Sequence, residues 1–216
     1  PFPKEKFEKE EFKEIKESTT DPESGYYVKD ERTKQFAYSF HAATDERGFV
    51  LGTIVTPGNI HDSHILQPLV EKVIEKVKKP LAVAADAAYK TPAITNFLLE
   101  NQMLPVLPYT RPKTKDGFFR KHDYVYDEHN DCYICPNDQM LPYVTTTKEG
   151  YRQFKSNPTI CANCPFLKQC TESKNHTKLI QRHIWEAYVE EAEHLRHHEE
   201  IKLIYAKRKE TIERVF

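Results

Sequence analysis

The chain has 216 residues, enough for one large domain or for a domain carrying an insertion. Charged residues make up 30%, which gives a wet surface, but twelve Phe and twelve Tyr exclude a disordered chain. The formal net charge is −1 and no apolar run approaches the roughly 20 residues that span a bilayer, so the reading is a cytoplasmic protein with no membrane partner.

Residues 1–20 mix five Lys with six Glu and read as a charged lead-in without the apolar stretch of a signal peptide. "STTDPESG" is a loop, and ordered core is expected from about Tyr26. "QFAYSFHAAT" and "GFVLGTIVT" are β-rich runs joined by the turn-like "DERG", which predicts an antiparallel hairpin, with "GYYVK" as a third strand. After "PGNIHDS", where Asp62 reads as an N-cap, Ile65, Leu69, Val73 and Val77 recur every four residues. That spacing predicts an amphipathic helix, with Pro68 in its first turn or in a short turn before it.

"PLAVAADA" is apolar on both faces and predicts a buried, central strand that ends on Asp86. A second helix follows from Pro92 to about Asn101, with Thr91 as its N-cap and Pro92 at its first position, so that Asp86 is not required to cap it. "MLPVLPY" predicts a short strand with Pro at its edges. Residues 110–180 read as an insertion of turns, aromatics and cysteines with little periodicity. Within it, "RPKTKDGFFRKH" carries five Lys or Arg against one Asp and is either a solvated loop or a surface for an anionic partner. From His183 the sequence holds no Gly or Pro and predicts helix, broken near His197 and His198.

Cys132, Cys135, Cys161, Cys164 and Cys170 form two C-x-x-C pairs and a fifth thiol, an odd count that argues against a disulfide framework. Two such pairs can converge as four thiolates around a structural Zn²⁺, with Cys135, Cys161, Cys164 and Cys170 the preferred set and Cys132 the substitute. Arg152, Lys155, Lys168, Lys174, Lys178 and Arg182 lie among Tyr151 and Phe154, a mixture that suits either a phosphate backbone or solvent. A zinc-containing metabolic enzyme finds little support, since there is no Gly-rich phosphate loop and "HHEE" lacks the H-E-x-x-H spacing.

Asp86 at a strand end and Glu213 on a late helix are carboxylates that rigid elements could bring to one sheet edge. Mg²⁺ takes such oxygens, and two ions about 4 Å apart can assist in-line phosphoryl transfer. Glu210 reads instead as the surface partner of Arg214, four residues on.

From "STTDPESGYYVKDERTKQFAYSFHAATDERGFVLGTIVTPGNIHDS" through "AADAAYKT", "CANCPFLKQC" and "YAKRKETIERVF", the chain resembles the DDE transposases of bacterial insertion sequences, in the branch with a cysteine-rich insertion. The resemblance covers almost the whole chain from about residue 18. It implies an α/β fold: an RNase H-like mixed sheet flanked by helices, with a Cys-rich zinc-binding insertion before the C-terminal helices. In that reading 21–109 and 181–216 form the RNase H-like core around the insertion at 110–180.

The implied activity is DNA cleavage and strand transfer with Mg²⁺ or Mn²⁺, on transposon ends and target DNA, by a homo-oligomer in the synaptic complex at the bacterial nucleoid. Asp86 matches the second acid of the triad and Glu213 the third. The first belongs on a strand upstream of "STTDPESG", where no suitable Asp occurs, and Asp21 is not promoted to the role. The chain is therefore expected to be a fragment with little activity alone. Tyr205 and Arg208 match the Tyr and Arg that precede the third acid in related families, with Glu213 one residue late. On a helix Tyr205, Lys209 and Glu213 share a face while Arg208 lies about 140° from Glu213, so Lys209 rivals Arg208 as a DNA contact. The alternative function is a catalytically inactive, zinc-containing DNA-binding or assembly module.

Overall fold

The computed structural model describes residues 15–212, which divide into two compact units at Lys78/Lys79. The first unit is built on three strands, β1 (Gly25–Val28), β2 (Lys34–Thr44) and β3 (Val50–Pro57), in one antiparallel sheet of order β1-β2-β3. The expected hairpin is present, with His41 opposite Ile54 and a bulge at Ala43/Thr44. A 3-10 turn at Asp62–His64 leads into helix α1 (Leu66–Lys76). Pro68 thus sits in the first turn of α1, where its missing N–H costs nothing. Leu66, Leu69, Val70 and Val73 form the buried stripe, and Lys72 Nζ donates to the Thr53 carbonyl of β3 at 2.7 Å. Asp62 does not act as the N-cap expected of it. His61 holds that position, its Nδ1 accepting from the Ser63 N–H, while Asp62 is the first residue inside the turn.

The second unit starts with β4 (Ala82–Ala84), α2 (Pro92–Glu100) and β5 (Leu104–Val106), a β-α-β passage whose strands pair in parallel as a two-stranded sheet. The cap is as read: Thr91 Oγ1 accepts from the Ile94 N–H at 3.3 Å and Pro92 opens the helix. The expectation of a long, buried, central strand at "PLAVAADA" is corrected. The strand is three residues long, Leu81 is exposed and only Ala85 is buried. Pro105 lies in the middle of β5 rather than at its edge. It is tolerated because Leu104 N–H and the Val106 carbonyl make the bonds to β4, so the missing donor at Pro105 faces the other way.

The cysteine-rich segment is more regular than its sequence suggests. It forms a five-stranded antiparallel sheet, β6 (Val125–Asp127), β7 (Cys132–Ile134), β8 (Met140–Thr146), β9 (Tyr151–Lys155) and β10 (Leu179–His183), in order β10-β9-β8-β7-β6. Its core is Tyr124, Tyr133, Leu141, Phe154 and Ile180, with the Phe154 ring edge-on to Tyr133 at 5.1 Å and to Tyr126 at 5.9 Å. Two short helices, α3 (Pro158–Ala162) and α4 (Leu167–Cys170), occupy the β9–β10 connection. The chain ends in α5 (Glu186–Leu195) and α6 (Glu199–Thr211), broken at 196–198 as expected.

Helix α5 packs on α2 and β5, and α6 on β4 and β5. Leu98, Met103, Pro105 and Val106 are buried to below 2% exposure in this layer. Arg182 joins the five-stranded sheet to α5, donating to both Glu190 oxygens while its guanidinium lies 4.3 Å from the Tyr126 ring centre. The unit is a mixed α/β structure in which the sheets are separate ladders.

Leu98→Ala is expected to lower the unfolding free energy by about 2–5 kcal/mol, because the removed side chain leaves a closed cavity. Thr91→Ala should cost only about 1 kcal/mol, the worth of an N-cap. Urea titration of the two variants checks the ranking, and equal losses would contradict this account of the packing.

Candidate functional site

The parallel pairing of β4 and β5 brings the C-terminal ends of both strands to one edge. Ala85 still bonds to β5, its N–H donating to the Val106 carbonyl at 3.3 Å. Asp86 then leaves the ladder and opens a 3-10 turn over Ala87–Tyr89, its Oδ1 accepting from the Ala88 N–H at 2.9 Å. The carboxylate therefore does cap a turn, though not the helix that Thr91 caps. Its Oδ2 faces the Arg208 guanidinium of α6 at 3.9 Å, with the Asp86 side chain 45% exposed and that of Arg208 23% exposed.

The two loops leaving this edge are tied together. Lys90, just after the turn, is ion-paired with Glu193 of α5, and its Nζ donates to the Pro108 carbonyl beyond β5 at 3.4 Å. Burial holds the Lys90 ammonium below its usual pKa, and neighbouring Arg196 adds to the effect. Arg196 in turn lies 4.6 Å from the Tyr109 ring centre. The sequence points to Asp86 and Arg208. Lys90, Glu193 and Arg196 carry no spacing signal, because their meeting is purely tertiary.

Of the remaining α6 residues read from sequence, Tyr205 is half-buried and Lys209 exposed. Glu213 lies outside the described residues. Arg208 turns toward Asp86 and Lys209 toward solvent, so they serve different surfaces. As a divalent-metal set the edge is incomplete among the described residues, since Asp86 supplies one carboxylate and no group of three or more His, Cys, Asp or Glu stands in metal-holding arrangement. In the first unit, Asp21 accepts from the Tyr38 hydroxyl through both oxygens, at 2.9 and 3.1 Å, which fastens the "TTDP" loop to β2.

The cysteines separate into two groups. Cys135, Cys161, Cys164 and Cys170 line one small cavity of about 30 Å³, whereas Cys132 is 1% exposed within the sheet and does not reach it. A left-handed residue, Asp138, closes the tight turn after Cys135, and the Cys164 N–H donates to the Cys161 carbonyl at 3.1 Å. Asn157 caps α3 through the Thr159 N–H and so fixes the helix that carries Cys161. Tyr124 Oη lies 3.1 Å from Cys170 Sγ, and Lys178, which also lines the cavity, donates to the Cys170 carbonyl at 3.0 Å. Burial pushes the Cys170 thiol up, against the opposing pull of the Tyr124 hydroxyl and the Lys178 ammonium. Four soft donors lining one void are the donor type Zn²⁺ takes, but among the described residues they do not form a group that could hold a metal ion.

Among the described residues no helix is long and apolar enough to cross a membrane. Comparisons with curated proteins and with solved structures find no match. Residues 134–216 match the family described as Transposase DDE domain. The matched stretch holds the four cavity cysteines, α5 and α6, together with Tyr205, Arg208, Lys209 and Glu213, and it leaves Asp86 outside. The matched stretch is 83 of the 216 residues, a likeness to that family over the C-terminal part of the chain.

Proposed function

We propose that the chain works in DNA transposition as a DDE-type catalytic domain of RNase H-like fold, in a bacterial insertion-sequence transposase. What carries this reading is the meeting of two separate parts of the sequence: Arg208, inside the stretch that matches the transposase family, faces Asp86 at the end of β4. Asp86 and Glu213 would hold Mg²⁺ or Mn²⁺, together with a further carboxylate to which no residue here is assigned. When bound, such ions activate a water or 3′-hydroxyl and stabilise the departing oxygen.

The chain's own residues have distinct tasks in this scheme. An ion pair as open as Asp86–Arg208 is worth at most about 1 kcal/mol, so the Asp86 carboxylate can give it up for a metal ion at little cost. Lys90 keeps the turn that carries Asp86 in register with the loop beyond β5. Tyr205 and Lys209 would contact the DNA end. In this scheme water displaces the 3′-oxygen at a transposon end, and the freed 3′-hydroxyl then attacks a target phosphorus and displaces the 3′-oxygen of the cut target strand. Two or more copies would hold the paired ends.

A cell-based excision assay tests the assignment, with the protein expressed from its natural gene beside a marker flanked by the ends of its own element. Asp86→Asn and Glu213→Gln should each reduce excision at least about a hundred-fold, more than the loss of groups that only support a metal ligand. Glu210→Gln should leave it nearly unchanged. Full excision with Asp86→Asn would favour the non-catalytic binding module instead.

The cavity cysteines are proposed as a structural Zn²⁺ site, with Lys178 offsetting the excess charge of four thiolates. Elemental analysis of reduced protein should find about one zinc per chain, the stoichiometry of a four-cysteine site. Cys161→Ser should abolish it and Cys132→Ser should retain it. Zinc well below half an equivalent in the unsubstituted protein would remove the proposal.

A further inference from the structure

The segment between β5 and β6 is a built concavity. It encloses about 120 Å³ and is lined by Tyr109, Arg111, Lys115, Asp116, Arg120 and His122, among others. Both of its ends are fastened. At one end Lys90 holds the Pro108 carbonyl and Arg196 stacks on Tyr109. At the other the Phe119 N–H donates to the Gln169 carbonyl at 2.8 Å, and the Phe119 ring packs edge-on against Phe166 and Tyr124. Between them, Gly117 at φ +81° closes a turn in which the Phe118 N–H donates to the Lys115 carbonyl.

The charge inside is unbalanced. Lys115 is paired with Glu172, and His122 lies 3.6 Å from Asp123, whose other oxygen accepts from the Arg120 N–H. Among the described residues, neither the Arg111 nor the Arg120 guanidinium has a carboxylate partner. Asp116 is the one acidic side chain in the lining against Arg111, Lys115 and Arg120. The void has room for several waters and hence for a phosphate group. Guanidinium forks, which two residues of this lining carry, match phosphate oxygens better than they match any neutral ligand.

We infer that this concavity grips a phosphodiester of the nucleic-acid backbone, placing duplex DNA across the strand edge that carries Asp86. The inference deepens the transposase reading and rests on it. The site adds to Tyr205 and Lys209, because it belongs to the loop beyond β5 rather than to α6. Its arginines address phosphate alone, so it contributes affinity and register without sequence preference.

Fluorescence anisotropy with a labelled DNA duplex of arbitrary sequence, run across a salt series, tests it. Arg111→Ala/Arg120→Ala should weaken binding about ten-fold or more at low salt and flatten the slope of log affinity against log salt by about 1, the share of the one phosphate lost. The charge-matched Lys29→Ala/Lys148→Ala variant should keep the slope, and both variants should keep the unsubstituted melting temperature. Equal flattening in the two variants would overturn the inference, since only diffuse attraction would remain. So would pyrophosphate binding that the arginine variant loses while its DNA binding persists, or a preference for an RNA duplex. Failure of the unsubstituted chain to bind duplex DNA would count against the transposase reading as well. Normal binding with an unaltered slope in Arg111→Ala/Arg120→Ala would remove the cradle and leave that reading standing.

Discussion

The edge of the second unit is organised by one largely buried ammonium. Lys90 has 11% of its side chain exposed and draws together three pieces of chain: the turn after β4, the Pro108 carbonyl after β5 and Glu193 on α5. Such a charge is tolerated in low dielectric only while it is paired and hydrogen-bonded. Breaking a fully buried pair from one side costs about 3–5 kcal/mol, and the 30% exposure of Glu193 brings this one below that range. The two loops consequently behave as one platform. Asp86 enters it through its own 3-10 turn, and Tyr109 through Arg196, so catalytic candidate and anion cradle share a support.

The cysteine-rich sheet solves a different problem. Its strands are three to seven residues long, and its buried cluster is a handful of aromatics and aliphatics around Phe154. A core of that size holds a five-stranded sheet only marginally, which is where a metal staple contributes most. The four cavity cysteines come from the turn after β7, from α3, from the α3–α4 link and from the end of α4. An ion held there would pin both short helices to the sheet. Phe119 bonds to Gln169 of α4, so the same staple would also steady the far end of the cradle.

Local rules made part of this legible. The hairpin, the Thr91–Pro92 helix start and the break at 196–198 each follow from a few neighbouring residues, and each is where the sequence puts it. The five-stranded sheet was not legible, because strands such as β6 and β7 are too short to display a period of two and are interleaved with Pro, Asp and Cys. The "PLAVAADA" run misled for the opposite reason: its apolar length suggests a central strand, while just three residues pair and Leu81 stays exposed. His61 displaced Asp62 as a cap because an imidazole nitrogen can accept as a carboxylate does. Cys135, Cys161, Cys164 and Cys170 line one cavity while Cys132 lies in the sheet core, a division of places and not a test of which thiols bind a metal. The sequence could not reveal that Asp86 and Arg208 meet, since 122 residues separate them and neither belongs to a periodic pattern.

Arg182 is 8% exposed, donates to both oxygens of Glu190 and lies on the face of Tyr126. Arg152 donates to Asp131, and that bond holds the Asp131 carboxyl below its usual range. Both are clamps: displacing them would strand a partner and open packed aromatic contacts. Arg208 approaches Asp86 at 3.9 Å, beyond ordinary hydrogen-bond length, and the carboxylate is nearly half exposed. Water already competes for that carboxylate, so an arriving cation replaces little there. A half-exposed carboxylate whose one backbone bond among the described residues comes from its own turn is arranged to exchange partners. The clamping pairs elsewhere in the unit can supply the rigidity that such an exchange requires.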